Sequence, residues 1–226
     1  MTFAAAYEDP PVAWGVGRVV VGDEMIPWPV SQRDIDDETE AMVPRLAALG
    51  LGEGGLVLIV SLLSDTIHVY PFEQAAGRLG ALYSSADRSP FDAFRTASLI
   101  RQLRPTVVMG IDSRVLDGLA DAGRDLHEVF ASVPAVVAVD DDAATRLAAT
   151  GLTVRRWLTL GPTSALQPLD DDALVYDATR WQVESSTIGA SGELVITNLV
   201  DRLTPCDGFR TGVRGKVLEP GRLTAT

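Results

Sequence analysis

Two histidines stand in the chain, His68 and His127, and a histidine is the side chain best suited to move a proton near neutral pH. His68 closes the run Ser64-Asp65-Thr66-Ile67-His68, directly behind an apolar stretch that reads as a strand. In α/β sheets the carboxyl ends of strands are where ligand-binding residues gather. A general acid or base at that place would draw on His68 and Asp65, and these two are the candidate catalytic residues. The competing reading of His68 is a plain helix-surface or partly buried histidine, since no partner is legible from the sequence. His127, beside Asp125 and Glu128, reads as a loop or helix-surface residue.

Other chemistry-bearing groups have ordinary explanations. Cys206 is the only cysteine, so neither an internal disulfide nor a cysteine-based zinc cluster can form. Nothing around it resembles a catalytic arrangement, and it reads as a structural thiol. Asp140-Asp141-Asp142 directly precedes a helical pattern and is explained by capping and the helix dipole. Asp170-Asp171-Asp172 falls in a loop, where consecutive acids are usually solvated. Neither triplet has the alternate-residue spacing of a calcium loop, so no metal site is expected.

The glycine clusters are the places where a phosphate loop could lie. Gly50-Leu51-Gly52-Glu53-Gly54-Gly55 carries an acid among its glycines and no Lys-Ser/Thr after them. Gly15-Val16-Gly17 lacks the third glycine of a dinucleotide fingerprint, and Gly189-Ala190-Ser191-Gly192 precedes a strand rather than a helix. All three read as turn glycines, and no cofactor is expected.

The chain that must position these residues has 226 of them, enough for one large domain or one with a small appendage. Its net charge of −12, with Lys216 as the only lysine, argues against nucleic acid and against anionic membrane surfaces. No apolar run reaches the ~18 residues of a membrane span. Met1 to Glu8 lacks the basic start of a signal peptide, and one cysteine fits a reducing compartment, so a cytoplasmic protein is expected.

Residues 1–17 read as a lead-in. Arg18-Val19-Val20-Val21 and Met25-Ile26-Pro27 suggest a short hairpin turning at Gly22-Asp23. Ser31 with Asp34 opens an acidic helix whose Ile35, Met42, Leu46 and Leu49 share one face, with Pro44 expected to kink or interrupt it. Strands at Leu56 to Leu63, Ala81 to Tyr83, Thr106 to Gly110, Val133 to Val139 and Val154 to Leu160 alternate with helical segments. That alternation predicts an α/β fold, a mostly parallel sheet flanked by helices, over residues 18–160. After Gly161-Pro162 helical periodicity ends, and 161–226 reads as a small β-rich unit. Within it, Glu193 to Leu199 predicts a buried strand, and Gly208-Phe209-Arg210-Thr211-Gly212-Val213 a glycine-flanked turn.

That last segment carries a resemblance. Gly192-Glu193-Leu194-Val195, then Pro205, then Phe209-Arg210-Thr211-Gly212-Val213 resembles the close of the large N-terminal region of adenylate-forming acyl-CoA ligases, the phenylacetate-CoA ligase type above all. Those enzymes have Gly-Glu-Leu-Val, a proline and Tyr-Arg-Thr-Gly-Asp. Residues 18–139 are similar to the N-terminal subdomain of the same family, through Leu49-Gly50-Leu51-Gly52, Leu56 to Val60, and Leu79-Gly80-Ala81-Leu82-Tyr83-Ser84. The resemblance implies ligand-binding roles for Arg210 and Thr211. It also implies that Val213 occupies the place of the aspartate that grips the ribose hydroxyls of ATP.

The departures matter as much. The family's Ser/Thr/Gly-rich phosphate loop is absent, and Leu160-Gly161-Pro162-Thr163-Ser164 stands near its Tyr-Gly-x-Thr-Glu segment without the glutamate. The sequence ends 13 residues beyond Val213, so the domain carrying the family's catalytic lysine is not expected. Two charge-assisted hydrogen bonds from the missing carboxylate would contribute about 3–6 kcal/mol, against ~4 kcal/mol for millimolar binding in total. The resemblance therefore implies a truncated, ligase-like protein that does not adenylate alone. It would act by binding a partner enzyme or an acyl or aryl small molecule, and self-association would cover faces that a full ligase buries. The alternatives are an ATP-independent enzyme using His68, Asp65 or Arg210, and one half of a split ligase.

Overall fold

A computed structural model describes residues 12–187 and 190–225. Residues 1–11 of the expected lead-in and Gly189 lie outside them. The chain opens with an antiparallel hairpin, β1 (Ala13–Val21) and β2 (Glu24–Ser31), turning at Gly22-Asp23 as predicted. Its strands are longer than the sequence suggested. Gly15, Val16 and Gly17 extend the ladder to Val30, Pro29 and Trp28. Glycine at 17 permits this, because a Cβ there would lie 2.1 Å from the Ile67 side chain. Trp14 stacks on Tyr70 with ring centroids 4.9 Å apart.

Helix α1 (Gln32–Ala47) starts with a capping box. The Asp34 N–H donates to Ser31 Oγ at 3.1 Å, and the Ser31 N–H donates back to the Asp34 carboxylate at 2.8 Å. Ile35, Met42 and Leu46 are buried as their spacing requires. The helix runs through Pro44 to Ala47, contrary to the expected interruption. Only a last turn follows the proline, so little of the helix depends on the N–H it lacks.

The parallel part of the sheet is β3 (Leu56–Ser61), β4 (Leu82–Asp87), β5 (Val107–Ile111), β6 (Ala135–Ala138) and β7 (Val154–Leu160), in spatial order β4-β3-β5-β6-β7. Apolar residues fill both faces of its centre: Val57 and Ile59 point to one core with Met42, Leu46 and Phe72, Leu58 and Val60 to another with Ile100, Leu116 and Phe130. The connecting helices are α2 (Thr66–Arg78), α3 (Ala93–Leu103), α4 (Ser113–Asp121), α5 (Leu126–Phe130) and α6 (Asp141–Ala148).

At Gly161-Pro162 the pairing changes hand without a break in hydrogen bonding. β7 pairs in parallel with β6 on one edge and antiparallel with β8 (Thr163–Leu166) on the other. The sheet continues through β9 (Leu174–Val175), β13 (Arg222–Ala225), β12 (Phe209–Glu219), β11 (Gly192–Asn198) and β10 (Trp181–Ser185), making eleven strands in all. The segment expected as a turn after Gly208 is the start of β12. Its pairing with β11 skips residues between Arg210 and Arg214, and Gly212, at φ +73°, lies within that bulge.

Buried charge ties α1 to the antiparallel half. Glu38 accepts the Thr163 hydroxyl at 2.8 Å, the Trp181 indole N–H at 2.8 Å and the Arg202 guanidinium at 2.6 Å. Arg202 also lies over the Trp181 ring, 4.3 Å from its centroid. Among the described residues no helix is long and apolar enough to cross a membrane.

Candidate functional site

The carboxyl ends of the parallel strands converge on a cavity of about 300 Å³. Each strand end supplies a charged group to it. Asp65 sits in the 3-10 turn behind β3, Arg88 follows β4, Asp112 follows β5, and Asp140 stands two residues beyond β6. The hairpin adds Arg18, and β7 adds the buried Trp157.

The aspartates are held by local geometry. Asp112 caps α4 by accepting the Val115 N–H at 3.0 Å, and Asp140 caps α6 by accepting the Ala143 N–H at 2.7 Å. Asp140 also takes the Ser113 N–H at 2.9 Å. The arginines then link the acids into a chain. Arg18 meets Asp65 at 3.0 Å, Arg88 bridges Asp65 and Asp112, and Arg114 meets Asp112 at 2.7 Å. Three arginines thus face three aspartates around the cavity.

His68, on α2, lines the same cavity and is buried. Its Nδ1 lies 3.2 Å from the Ser164 hydroxyl, which in turn accepts the Trp157 indole N–H at 3.0 Å. Burial pushes the imidazole pKa down to about 4; Asp65 opposes that shift, while Arg88 and Arg18 reinforce it. His68 is therefore neutral at physiological pH.

The two candidate catalytic residues do meet in one cavity, but with other partners than each other. Both Asp65 oxygens are engaged, by Arg18, by Arg88 and by the Leu62 N–H. Arg210 lies away from this cavity: its side chain is 69% exposed and pairs with Glu193. Thr211 is buried and holds the bulge, donating to the Leu194 carbonyl at 2.8 Å and accepting the Val213 N–H at 3.2 Å. Of the segment that resembles the ligase motif, Val213, the position that departs from it, is the one that lines the cavity.

The other groups singled out by the sequence lie elsewhere. Cys206 is buried, its thiol pKa pushed up to about 11 by burial. His127 is on the short helix α5, with Nδ1 3.1 Å from the Thr150 carbonyl. Asp141 pairs with Arg156, Asp142 with Arg146 and Asp171 with Arg222. The described residues contain no group of three or more His, Cys, Asp or Glu side chains placed to hold a metal. A groove of about 420 Å³ between α3 and α5 is larger, but it lies on helix flanks away from the strand ends.

Sequence reasoning missed Arg88 and Asp112 and read Asp140 as a helix cap alone, although the signal was available. Each stands one or two residues past a strand, the same rule that singled out His68. Arg18, Trp157 and Ser164 had no such signal.

No protein-family model and no curated protein matches this sequence. Solved structures do. An open-conformation structure of 2-hydroxyisobutyryl-CoA ligase with 2-HIB-AMP and CoA superposes with a TM-score of 0.74 at 13% identity, over 94% of this chain and 56% of that one. A putative long-chain-fatty-acid CoA ligase from Rhodopseudomonas palustris gives 0.62 at 16% identity, over 98% and 61%. The N-terminal subdomain of Klebsiella oxytoca NpsA, bound to 3-hydroxyanthranilyl-AMSN, gives 0.62 at 15% identity, over 93% and 61%. The fold matches just over half of each of these structures. At these identities the likeness is one of architecture, and the chain spans between half and two thirds of the length of these neighbours.

Proposed function

We propose that this chain is a ligase-like protein that does not adenylate on its own and works by binding, with an acyl or aryl small molecule in the cavity beside Val213. The observation that carries this reading is the aliphatic side chain of Val213 on the cavity wall. In the phenylacetate-CoA ligase type, which the β11–β12 segment resembles, the corresponding position holds ribose through a carboxylate. The acids that do line the cavity are committed to helix caps and arginines, so none of them replaces that grip. Neutral His68 and doubly paired Asp65 also make a poor acid–base couple, which weighs against a repurposed hydrolytic or proton-transfer enzyme.

A thermal-shift screen with ATP, AMP, CoA, aryl acids and acyl thioesters tests the proposal. Stabilisation by an acyl or aryl compound, and none by ATP, is the expected pattern. Stabilisation by sub-millimolar ATP would overturn it.

A second reading is favoured by the outer edge of the sheet. Among the described residues β4 pairs only with β3, and it exposes Leu82 and Tyr83 at one end and Asp87 at the other, while Phe91 just beyond it is 97% exposed. A strand edge whose first half carries no charge or proline is a place where another chain adds. On this reading the protein acts in an assembly, with a second copy or with a polypeptide supplying the remainder of a ligase.

A further inference from the structure

The contacts of Ser164 bear on the proton of His68. An indole N–H can only donate, so the Ser164 oxygen accepts it at 3.0 Å. The oxygen keeps a second lone pair, but among the described residues its own hydrogen has no acceptor other than the ring nitrogen 3.2 Å away, His68 Nδ1, and that pairing satisfies both groups. A neutral imidazole that accepts at Nδ1 carries its hydrogen on Nε2. His68 lines the cavity and Ser164, on the Nδ1 side, does not, and Nε2 is not among the side-chain atoms sealed from solvent without a partner. Nε2 has no hydrogen-bond partner among the described residues, although the side chain is 93% buried by its 7% exposure.

Arg18, Arg88 and Arg114 ion-pair with Asp65 and Asp112, while Nε of Arg18 and of Arg88 is buried without a hydrogen-bond partner. With Asp140 the lining holds as many aspartates as arginines, so its formal charge is zero. Val20, Val139, Leu158 and Val213 supply apolar wall. A site with one fixed donor, an apolar lining and no net charge suits a small molecule that offers an uncharged acceptor oxygen on an apolar body.

We propose that the cavity binds a small uncharged carbonyl compound, an ester or thioester rather than a free acid, and that His68 holds its carbonyl oxygen through Nε2–H while Ser164 and Trp157 position the ring. The proposal rests on the small-molecule reading above, and the test separates the two. Burial, with Arg88 and Arg18 adding to it and Asp65 opposing it, keeps the ring neutral from pH 5.5 to 8.

The experiment is NMR of the full chain with ¹⁵N-labelled histidine, in which only His68 and His127 contribute and His68→Gln assigns them. The free protein should show His68 as the Nε2–H tautomer, unchanged from pH 5.5 to 8, and Ser164→Ala should mix the tautomers. Methyl benzoate should move the Nε2 resonance and bind more tightly than benzoate or toluene. His68→Gln and Ser164→Ala should weaken that binding about 5- to 10-fold, the loss of one oriented hydrogen bond. An Nδ1–H tautomer, ester binding that leaves Nε2 unmoved, or tighter binding of benzoate would each overturn the proposal while leaving a binding cavity. No binding of any of the three probes would overturn it along with the small-molecule reading of the cavity.

Discussion

Glu38 receives the Arg202 guanidinium at 2.6 Å with both side chains almost wholly out of solvent, at 7% and 4% exposure. The pair joins the first long helix to a loop 164 residues later, and the Trp181 and Thr163 donors complete the carboxylate's shell. Breaking such a pair leaves the buried Arg202 with only the Asp34 carboxylate, 4.0 Å away, and costs up to about 3–5 kcal/mol. Glu38→Ala should lose that amount in urea denaturation, and Glu38→Gln, which keeps an acceptor, should lose less. A Glu38→Ala midpoint equal to that of the natural chain would remove this clamp from the account of the fold.

His68 makes stability depend on pH in a defined direction. Its pKa falls from 6.5 in the unfolded chain to about 4 in the folded one, so below 6.5 the unfolded chain takes up more protons. Stability from this group is full above pH 6.5 and is lost as pH falls toward 4, by about 3 kcal/mol in total. Comparing His68→Gln with the natural protein at pH 7.5 and pH 4.5 isolates the term: the variant should lose less on acidification. Equal losses in both would mean that His68 is solvated.

Restoring the missing carboxylate should not restore nucleotide binding. Val213→Asp supplies a ribose-gripping acid but no phosphate-binding loop, so isothermal titration with ATP should give no heat below about 1 mM, the weak limit that ~4 kcal/mol represents. Micromolar ATP binding by Val213→Asp would show that this single side chain separates the cavity from an adenylating site.

Gly110 stands in β5 at φ +92°, and a Cβ there would meet the Val60 carbonyl oxygen at 2.0 Å. The obstacle is backbone of the neighbouring strand, which cannot move aside as a side chain can. Gly110→Ala should cost at least about 3 kcal/mol, combining strained backbone with a clash in the core. Thermal melts of the two proteins provide the check, and coincident midpoints would refute it.

The open edge at β4 predicts association. Light scattering at rising protein concentration should report a mass above 24.1 kDa, and Tyr83→Lys should lower it. A monomer at all concentrations for the natural chain would count against the edge as a self-association surface.

Local physics made much of the fold legible. Gly22-Asp23 announced its hairpin, Ser31 and Asp34 their capping box, and the apolar run at Leu56 its doubly buried strand. Placing His68 and Asp65 at a strand's carboxyl end was also a local inference. Their partners were not local: Arg18 lies 47 residues from Asp65, and Ser164 lies 96 from His68. Composition gives no hint of which arginine will reach which acid. The start of β12 was misread for a related reason, since a glycine-flanked segment looks like a turn until a neighbouring strand pairs with it on both sides of the bulge.

Strand β7 pairs in parallel with β6 over Val154 to Arg156 and antiparallel with β8 over Trp157 to Leu160, and it presents Trp157, Leu158 and Thr159 to the cavity. That wall cannot swing outward without unzipping its ladder with β8. The facing wall, the β1–β2 ribbon with Arg18 and Val20, belongs to a separate two-stranded sheet and is moored by side chains. Any breathing that admits a guest therefore falls to the ribbon, and the Arg18–Asp65 contact is the latch that such motion must release.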